Sequence, residues 1–203
     1  MMIPNGYVHL DALLAWAVAA RDGLPPPLSA DAIVPIEIPV EHETGGRFHL
    51  ASASIMVPEA RATIHLQRRF PTAEAGRMTT MRRVNLAAGP QKNYRIPMEV
   101  TYAAGGEVTW YALGEQRTIE ELLSLVTHLG KKRSAGHGII RGWRMEPCET
   151  WPGFPTLAAD GAALRHLPIN WPGLGTHRRQ IGRLTYPYWT FREETEVAAP
   201  MVA

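Results

Sequence analysis

The sequence predicts an α+β fold, with two helices on one face of a mostly antiparallel sheet. Three observations predict it. Two apolar stripes recur at helical spacing, around Leu10–Val18 and Ile119–Leu129. Between and after them lie β-branched and aromatic runs of strand length. Glycine and proline clusters punctuate the runs. At 203 residues, 45% hydrophobic and 20% charged, the chain is one domain's worth and can bury a core.

The elements follow in order. Leu10, Leu13, Leu14, Ala17 and Val18 make one helical stripe, which Gly23 and Pro25-Pro26-Pro27 end. Ile33 to Val40 is β-branched but broken by Pro35 and Pro39, so it reads as an edge strand or extended arm. Phe48 to Val57 and Ala62 to Arg69 read as strands, with Pro58 between them. Residues 71–93 lack a period and read as a long excursion from the sheet, such as a β-ribbon. Tyr94 to Tyr102 and Val108 to Leu113 read as a hairpin around Ala103-Ala104-Gly105-Gly106. Thr118 and Glu121 have capping-box spacing ahead of the stripe Ile119, Leu122, Leu123, Val126 and Leu129, and Gly130 stands at its end. Lys131 to Gly138 is then a loop and Ile139 to Met145 a strand. From Pro147 on stand seven of the seventeen prolines, with Trp151, Trp171 and Trp189. That stretch is expected to be irregular and wrapped over the sheet, with Glu193 to Ala203 frayed. The division is 1–146 as the main domain and 147–203 as a Pro/Trp-rich extension packed on it.

Charge is segregated along the chain. Residues 1–60 carry Asp11, Asp22, Asp31, Glu37, Glu41, Glu43 and Glu59 against Arg21 and Arg47, a net of −5. Residues 61–95 carry Arg61, Arg68, Arg69, Arg77, Arg82, Arg83, Lys92 and Arg95 against Glu74, a net of +7. Residues 128–144 hold five bases and no acid. Like charges so concentrated repel one another unless a polyanion neutralises them, which points to nucleic acid; the plainer reading is a solvated basic face.

Several chemistries find no support. Cys148 is the only cysteine, so neither an intrachain disulfide nor a cysteine metal cage can form. No stretch has the length and apolarity of a membrane span, and Met1 to Ala20 is a poor signal peptide, so a cytoplasmic location is expected. No His-Glu-x-x-His or paired-carboxylate spacing occurs. His42 and His49 would face opposite ways on a single strand, because seven is odd. Ser52, Ser54 and Cys148 lack a nucleophile elbow. No metal and no cofactor is expected.

The strongest motif is Gly130-Lys131-Lys132-Arg133-Ser134-Ala135-Gly136-His137-Gly138. Glycines let backbone N–H groups approach an anion, and Lys and Arg add charge. It is not a Walker A loop, because the order is helix, loop, strand. A helix followed by a glycine-rich basic loop and a hydrophobic strand resembles the RAMP superfamily of CRISPR proteins. The string His9-Leu10-Asp11-Ala12-Leu13-Leu14-Ala15-Trp16-Ala17 is similar to the start of the first helix in the Cas-five family's type IV member, called Csf-three.

The resemblance implies a ferredoxin-like (RRM-like) RAMP domain with an extended basic β-hairpin, the thumb, for which residues 71–93 are the candidate. Such domains open with a strand before the first helix; either Met1 to Val8 supplies it in short form or the chain starts late. It also implies a non-catalytic subunit of a type IV effector ribonucleoprotein that holds the 5′ handle of the CRISPR RNA (crRNA) and caps the backbone filament. The implied partners are that RNA, the backbone RAMP subunits, the large subunit and the crRNA-processing subunit, with target DNA met indirectly and no membrane.

The candidate RNA-binding residues are Lys131, Lys132, Arg133, Ser134, Gly136, His137 and Gly138 in the loop. Arg77, Arg82, Arg83, Lys92, Tyr94 and Arg95 are candidates on the thumb, and Arg141 and Arg144 on the strand after the loop. Tyr94 and Trp143 are candidate stacking platforms, with core packing the competing role. Arg178 and Arg179, near His177, form a secondary basic patch. The rival is a metal-independent endoribonuclease that processes precursor crRNA, with His137 the best-placed acid or base and His177 the next.

Overall fold

The computed structural model describes residues 2–4, 7–24, 36–71, 73, 85–89, 92–129, 138–188 and 193–201. Lys131, Lys132, Arg133, Ser134, Gly136, His137, Arg77, Arg82 and Arg83 lie outside them. The described elements are β1 (Met2–Pro4), α1 (Leu10–Arg21), β2 (Pro58–Arg68), β3 (Tyr94–Ala103), α2 (Gln116–Ser124), β4 (Leu167–Pro168), β5 (Arg179–Gly182) and β6 (Thr195–Ala198). Two antiparallel three-stranded sheets result, ordered β1-β3-β2 and β4-β6-β5. The strand before the first helix is therefore present, and the chain order β1-α1-β2-β3 with strand order β1-β3-β2 suits a ferredoxin-like β-α-β-β-α-β unit. None of the described helices is long and apolar enough to cross a membrane.

The main core lies where the two helices meet. Leu10, Leu14, Ala17 and Val18 of α1 pack with Ile119, Leu122 and Leu123 of α2, and Ile38, Val40, Ala51, Val126 and Leu129 close the cluster. Burial of each large aliphatic side chain stabilises by about 1.5–3 kcal/mol. α2 begins earlier than its sequence signature suggests. Its N-cap is Glu115, no side chain caps it, and the Thr118 hydroxyl instead donates to the Glu115 carboxylate. The helix ends at Ser124, yet Val126 and Leu129 stay buried in the turn that follows. The helical spacing thus marked core positions beyond the helix itself.

Several expected strands take another form. Residues 48–57 make isolated bridges rather than a ladder: His49 to His42, Ala51 to Ala112, Ala53 to His9 and Ile55 to Thr109. The segment is nearly all buried, and its N–H groups go to different neighbours. Ser52 donates to Tyr111 O, Ala53 to Leu164 O and Ser54 to Val8 O. The same bridges show that residues 109–114 pair with this segment and with Val40, not with β3, so the expected hairpin is absent. Pro58 starts β2 instead of interrupting it. Ile139 to Met145 makes one bridge, to His128, and otherwise has no regular secondary structure.

The described part of the tail is mostly irregular, and residues 193–201 are not frayed. β6 is the central strand of the second sheet, and its Val197 and Ala198 are fully buried. Phe48, Leu157, Ala163, Leu167 and Ala198 form a second core.

Candidate nucleic-acid interface

β2 and β3 form a two-stranded ribbon whose register runs from Pro58 opposite Ala103 to Arg68 opposite Tyr94. Eleven residues at the usual rise make it about 35 Å long. β1 pairs with β3 only from Val100 to Tyr102, so the outer part of the ribbon has no third strand among the described residues. Pro97, which donates no hydrogen bond, sits in that outer part. Arg61, Arg68, Arg69, Lys92 and Arg95 are exposed, and none makes an ion pair among the described residues.

At the far end of the ribbon an open cleft of about 470 Å³ is lined by Gln67, Arg68, Arg69, Phe70, Leu86, Asn93, Tyr94 and Arg95. Phe70 is buried, and its N–H donates to Asn93 Oδ1 at 2.6 Å. Asn93 N–H in turn donates to Leu86 O at 2.8 Å, which ties the returning chain to the ribbon end. Tyr94 is 40% exposed and lines this cleft, so of its two candidate roles the core role is the one it does not take.

The glycine-rich loop is closed at its base. Leu129 N–H donates to Gly138 O at 2.8 Å, and Ile140 N–H to Thr127 O at 2.9 Å. Gly138 has φ +72°, and a Cβ there would stand 1.8 Å from Leu129 O. Only glycine fits this closure. Arg141 and Arg144 follow the loop and are exposed; Arg144 pairs with Glu146 at 3.0 Å. Trp143 between them is a core residue, packed 5.7 Å from Trp110 with its indole N–H on Val126 O. In the secondary patch Arg178 is exposed, while Arg179 reaches Glu196 at 3.5 Å.

A buried polar network was not foreseen from the sequence. Arg165 and Asp11 are both fully buried and lie 3.4 Å apart. The Arg165 guanidinium also donates to the carbonyls of His49, Ala51 and Leu184 and to the Tyr188 hydroxyl, and lies 4.5 Å above the Phe48 ring. Tyr188 O–H donates to Asp11 at 2.9 Å. Burial raises the Asp11 carboxyl despite Arg165 and Tyr188, which pull it down.

Beside this network, His9 stacks on Tyr188 at 4.0 Å and meets His166 at 4.6 Å. His166 Nδ1 lies 2.7 Å from Arg183 O, so that nitrogen carries the proton. Its Nε2 then accepts from Tyr7 O–H at 2.8 Å. Burial holds His166 down to about 4; its bond to Arg183 O pulls it up in part, and the charge of Arg165 adds a lesser downward push. Burial and the charges of His166 and Arg165 hold His9 well below the ordinary imidazole range. Burial, with His42 and Arg165, lowers His49 to about 4. His42 and His49 face each other across an antiparallel bridge, with rings 4.0 Å apart, because a turn and not one strand joins them. Among the described residues no group of three potential metal ligands gathers.

Comparison with known proteins identifies the family. The model of the family described as CRISPR type IV associated protein Csf3 matches residues 62–200. The chain belongs to that family. It is therefore a type IV CRISPR-associated protein. No curated protein matches it. The Csf3 match takes in most of the ribbon, the glycine-rich loop and nearly all of the tail, and it begins after the helix string that is similar to the subunit.

Of the candidate residues, the structure brings Tyr94 and Arg95 into one cleft with Arg68 and Arg69. By sequence the latter two stand at the end of a strand and in the charge balance, not among the candidate site residues. The signal that finds them is strand register, which sets Arg68 directly opposite Tyr94.

Proposed function

We propose that this chain is the non-catalytic subunit of a type IV CRISPR effector ribonucleoprotein that binds the 5′ handle of the crRNA and caps the backbone filament. The observation that carries the reading is the β2–β3 ribbon, a long exposed hairpin whose arginines have no carboxylate partners among the described residues. Protein surfaces that meet a phosphate backbone leave Arg and Lys uncompensated in this way. The basic loop from Lys131 to Gly138 adds a second set of phosphate donors, with Arg141 beyond it. Residues 147–203 act as an extension packed on the same domain, which the burial of Arg165 against Asp11 supports.

The partners on this reading are the crRNA, the backbone RAMP subunits, the large subunit and the crRNA-processing subunit. The test is co-expression with the neighbouring genes and a CRISPR array, followed by pull-down through this chain and sequencing of the bound RNA. Guides sharing a fixed 5′ handle are expected, and charge reversal at Lys131, Lys132 and Arg133 should deplete them. Recovery of the chain alone, or with unrelated RNA, would sink the reading. A preparation that cut precursor RNA, and lost the cut but kept the guide on His137→Ala, would assign the endoribonuclease role instead.

A further inference from the structure

We infer that the cleft at the end of the β2–β3 ribbon is a subsite for one unpaired nucleotide, with Tyr94 stacking on its base and arginines holding its phosphates. The inference rests on the RNA-binding reading and locates it at one place on the ribbon. Arg68 and Tyr94 are direct cross-strand partners, so their side chains stand side by side on one face. Arg69 and Arg95 also line the cleft, and among the described residues no carboxylate lines it. A base therefore meets a π-face and a planar cation together, while its flanking phosphates meet bidentate donors.

The rest of the lining fits a nucleobase rather than a peptide. Phe70 is buried at the floor, and Leu86 gives an apolar wall. The Phe70 N–H can bond only the oxygen of Asn93, which fixes that carboxamide and leaves its NH₂ as a donor. That NH₂ is a donor that a base edge can use, and Gln67 also lines the cleft. The volume of about 470 Å³ is ample for a single nucleotide. Tyr94 is 40% exposed and Ile96, next but one in β3, is 54% exposed, so the end of the ribbon presents flat and apolar surface beside charge.

The experiment uses the assembled complex purified with its guide, the guide carrying photoreactive 5-iodouridine. Light should cross-link one guide position to a peptide containing Tyr94. Tyr94→Ala should lower that cross-link about ten-fold, the equivalent of one stacked base, and expose the same nucleotide to chemical probing of unpaired bases. Tyr94→Phe keeps the ring and should keep the protection. Tyr94 is on the surface, so both variants fold; circular dichroism of each checks this.

If the complex carries guides with a fixed handle, but no nucleotide cross-links near Tyr94 and none is newly exposed in Tyr94→Ala, the subsite is wrong while the guide-binding role stands. If the ribbon end cross-links to a neighbouring protein subunit instead, the cleft is a protein contact and the subsite is again wrong. If no guide co-purifies, both readings fall.

Discussion

The charged groups of the body and those of the ribbon are used in opposite ways. In the body, Arg165 and Asp11 are fully buried, and every branch of the guanidinium is occupied by carbonyls, a hydroxyl or a carboxylate. On the ribbon, Arg61, Arg68, Arg69 and Arg95 are exposed and make no ion pair among the described residues. Taking a charge out of water costs several kcal/mol, so a buried arginine exists only where the fold surrounds it with acceptors. A surface arginine in water contributes little to stability. The same residue type therefore fastens the fold in one region and stands available to a polyanion in the other.

The largest test of that contrast is to break the buried pair from one side. Asp11→Ala should destabilise the chain by about 3–5 kcal/mol, because it strands Arg165 without its carboxylate. Equilibrium denaturation measures this, and the double variant with Arg165→Met should recover part of the loss. A single variant of ordinary stability would mean that the pair does not fasten the tail to α1.

Acid should loosen the body before it affects the ribbon. His49 and His166 are held down to about 4 in the folded chain, against about 6.5 when unfolded. Between those values the unfolded chain binds protons that the folded chain refuses. Stability is therefore complete above about pH 6.5 and falls toward pH 4, by up to about 1.4 kcal/mol per pH unit for each histidine. His9, lowered in the same direction, adds to the slope. Melting temperatures across a buffer series check it; a flat profile over that window would count against buried neutral imidazoles.

A smaller effect separates the loop base from an ordinary turn. Gly138→Ala should cost about 1–3 kcal/mol, since it combines a positive φ with a clash on Leu129 O. Gly105→Ala, with φ +61° and open space around the new methyl, should show only the left-handed penalty of about 1–2 kcal/mol. Thermal unfolding of the two variants side by side makes the comparison.

The smallest expected change in stability is on the ribbon. Arg68→Glu, Arg69→Glu and Arg95→Glu should each move it by less than about 0.5 kcal/mol. Their effect should appear in RNA binding, where the logarithmic salt slope should fall by about 0.7 for each phosphate that the variant no longer neutralises. A large loss of stability with an unchanged salt slope would show that these arginines belong to the body after all.

Much of this fold was legible in the sequence. α1 stands where the Leu10 to Val18 stripe put it, and the run from Tyr94 became β3. The cap of α2 differs from the box pattern because Thr118 finds the nearby Glu115 carboxylate, a partner that the pattern does not include. The Phe48 to Val57 run looked like one strand, but burial on all sides divides its hydrogen bonds among separate segments. Tyr94 and Trp143 looked alike as aromatics among basic residues; one lines the open cleft and the other packs against Trp110. No local pattern separates them, because the sequence spacing is similar and only the surroundings differ.

The sequence alone determined the two amphipathic helices, the ribbon strands and the segregation of charge, because each is written in neighbouring residues. Tertiary structure decided the rest. Arg165 finds Asp11 154 positions away, β6 becomes a central strand only when β4 and β5 flank it, and Arg68 meets Tyr94 through strand register. A buried charge needs acceptors wherever the fold can supply them, and a central strand needs partners on both edges. Neither requirement is confined to the local chain.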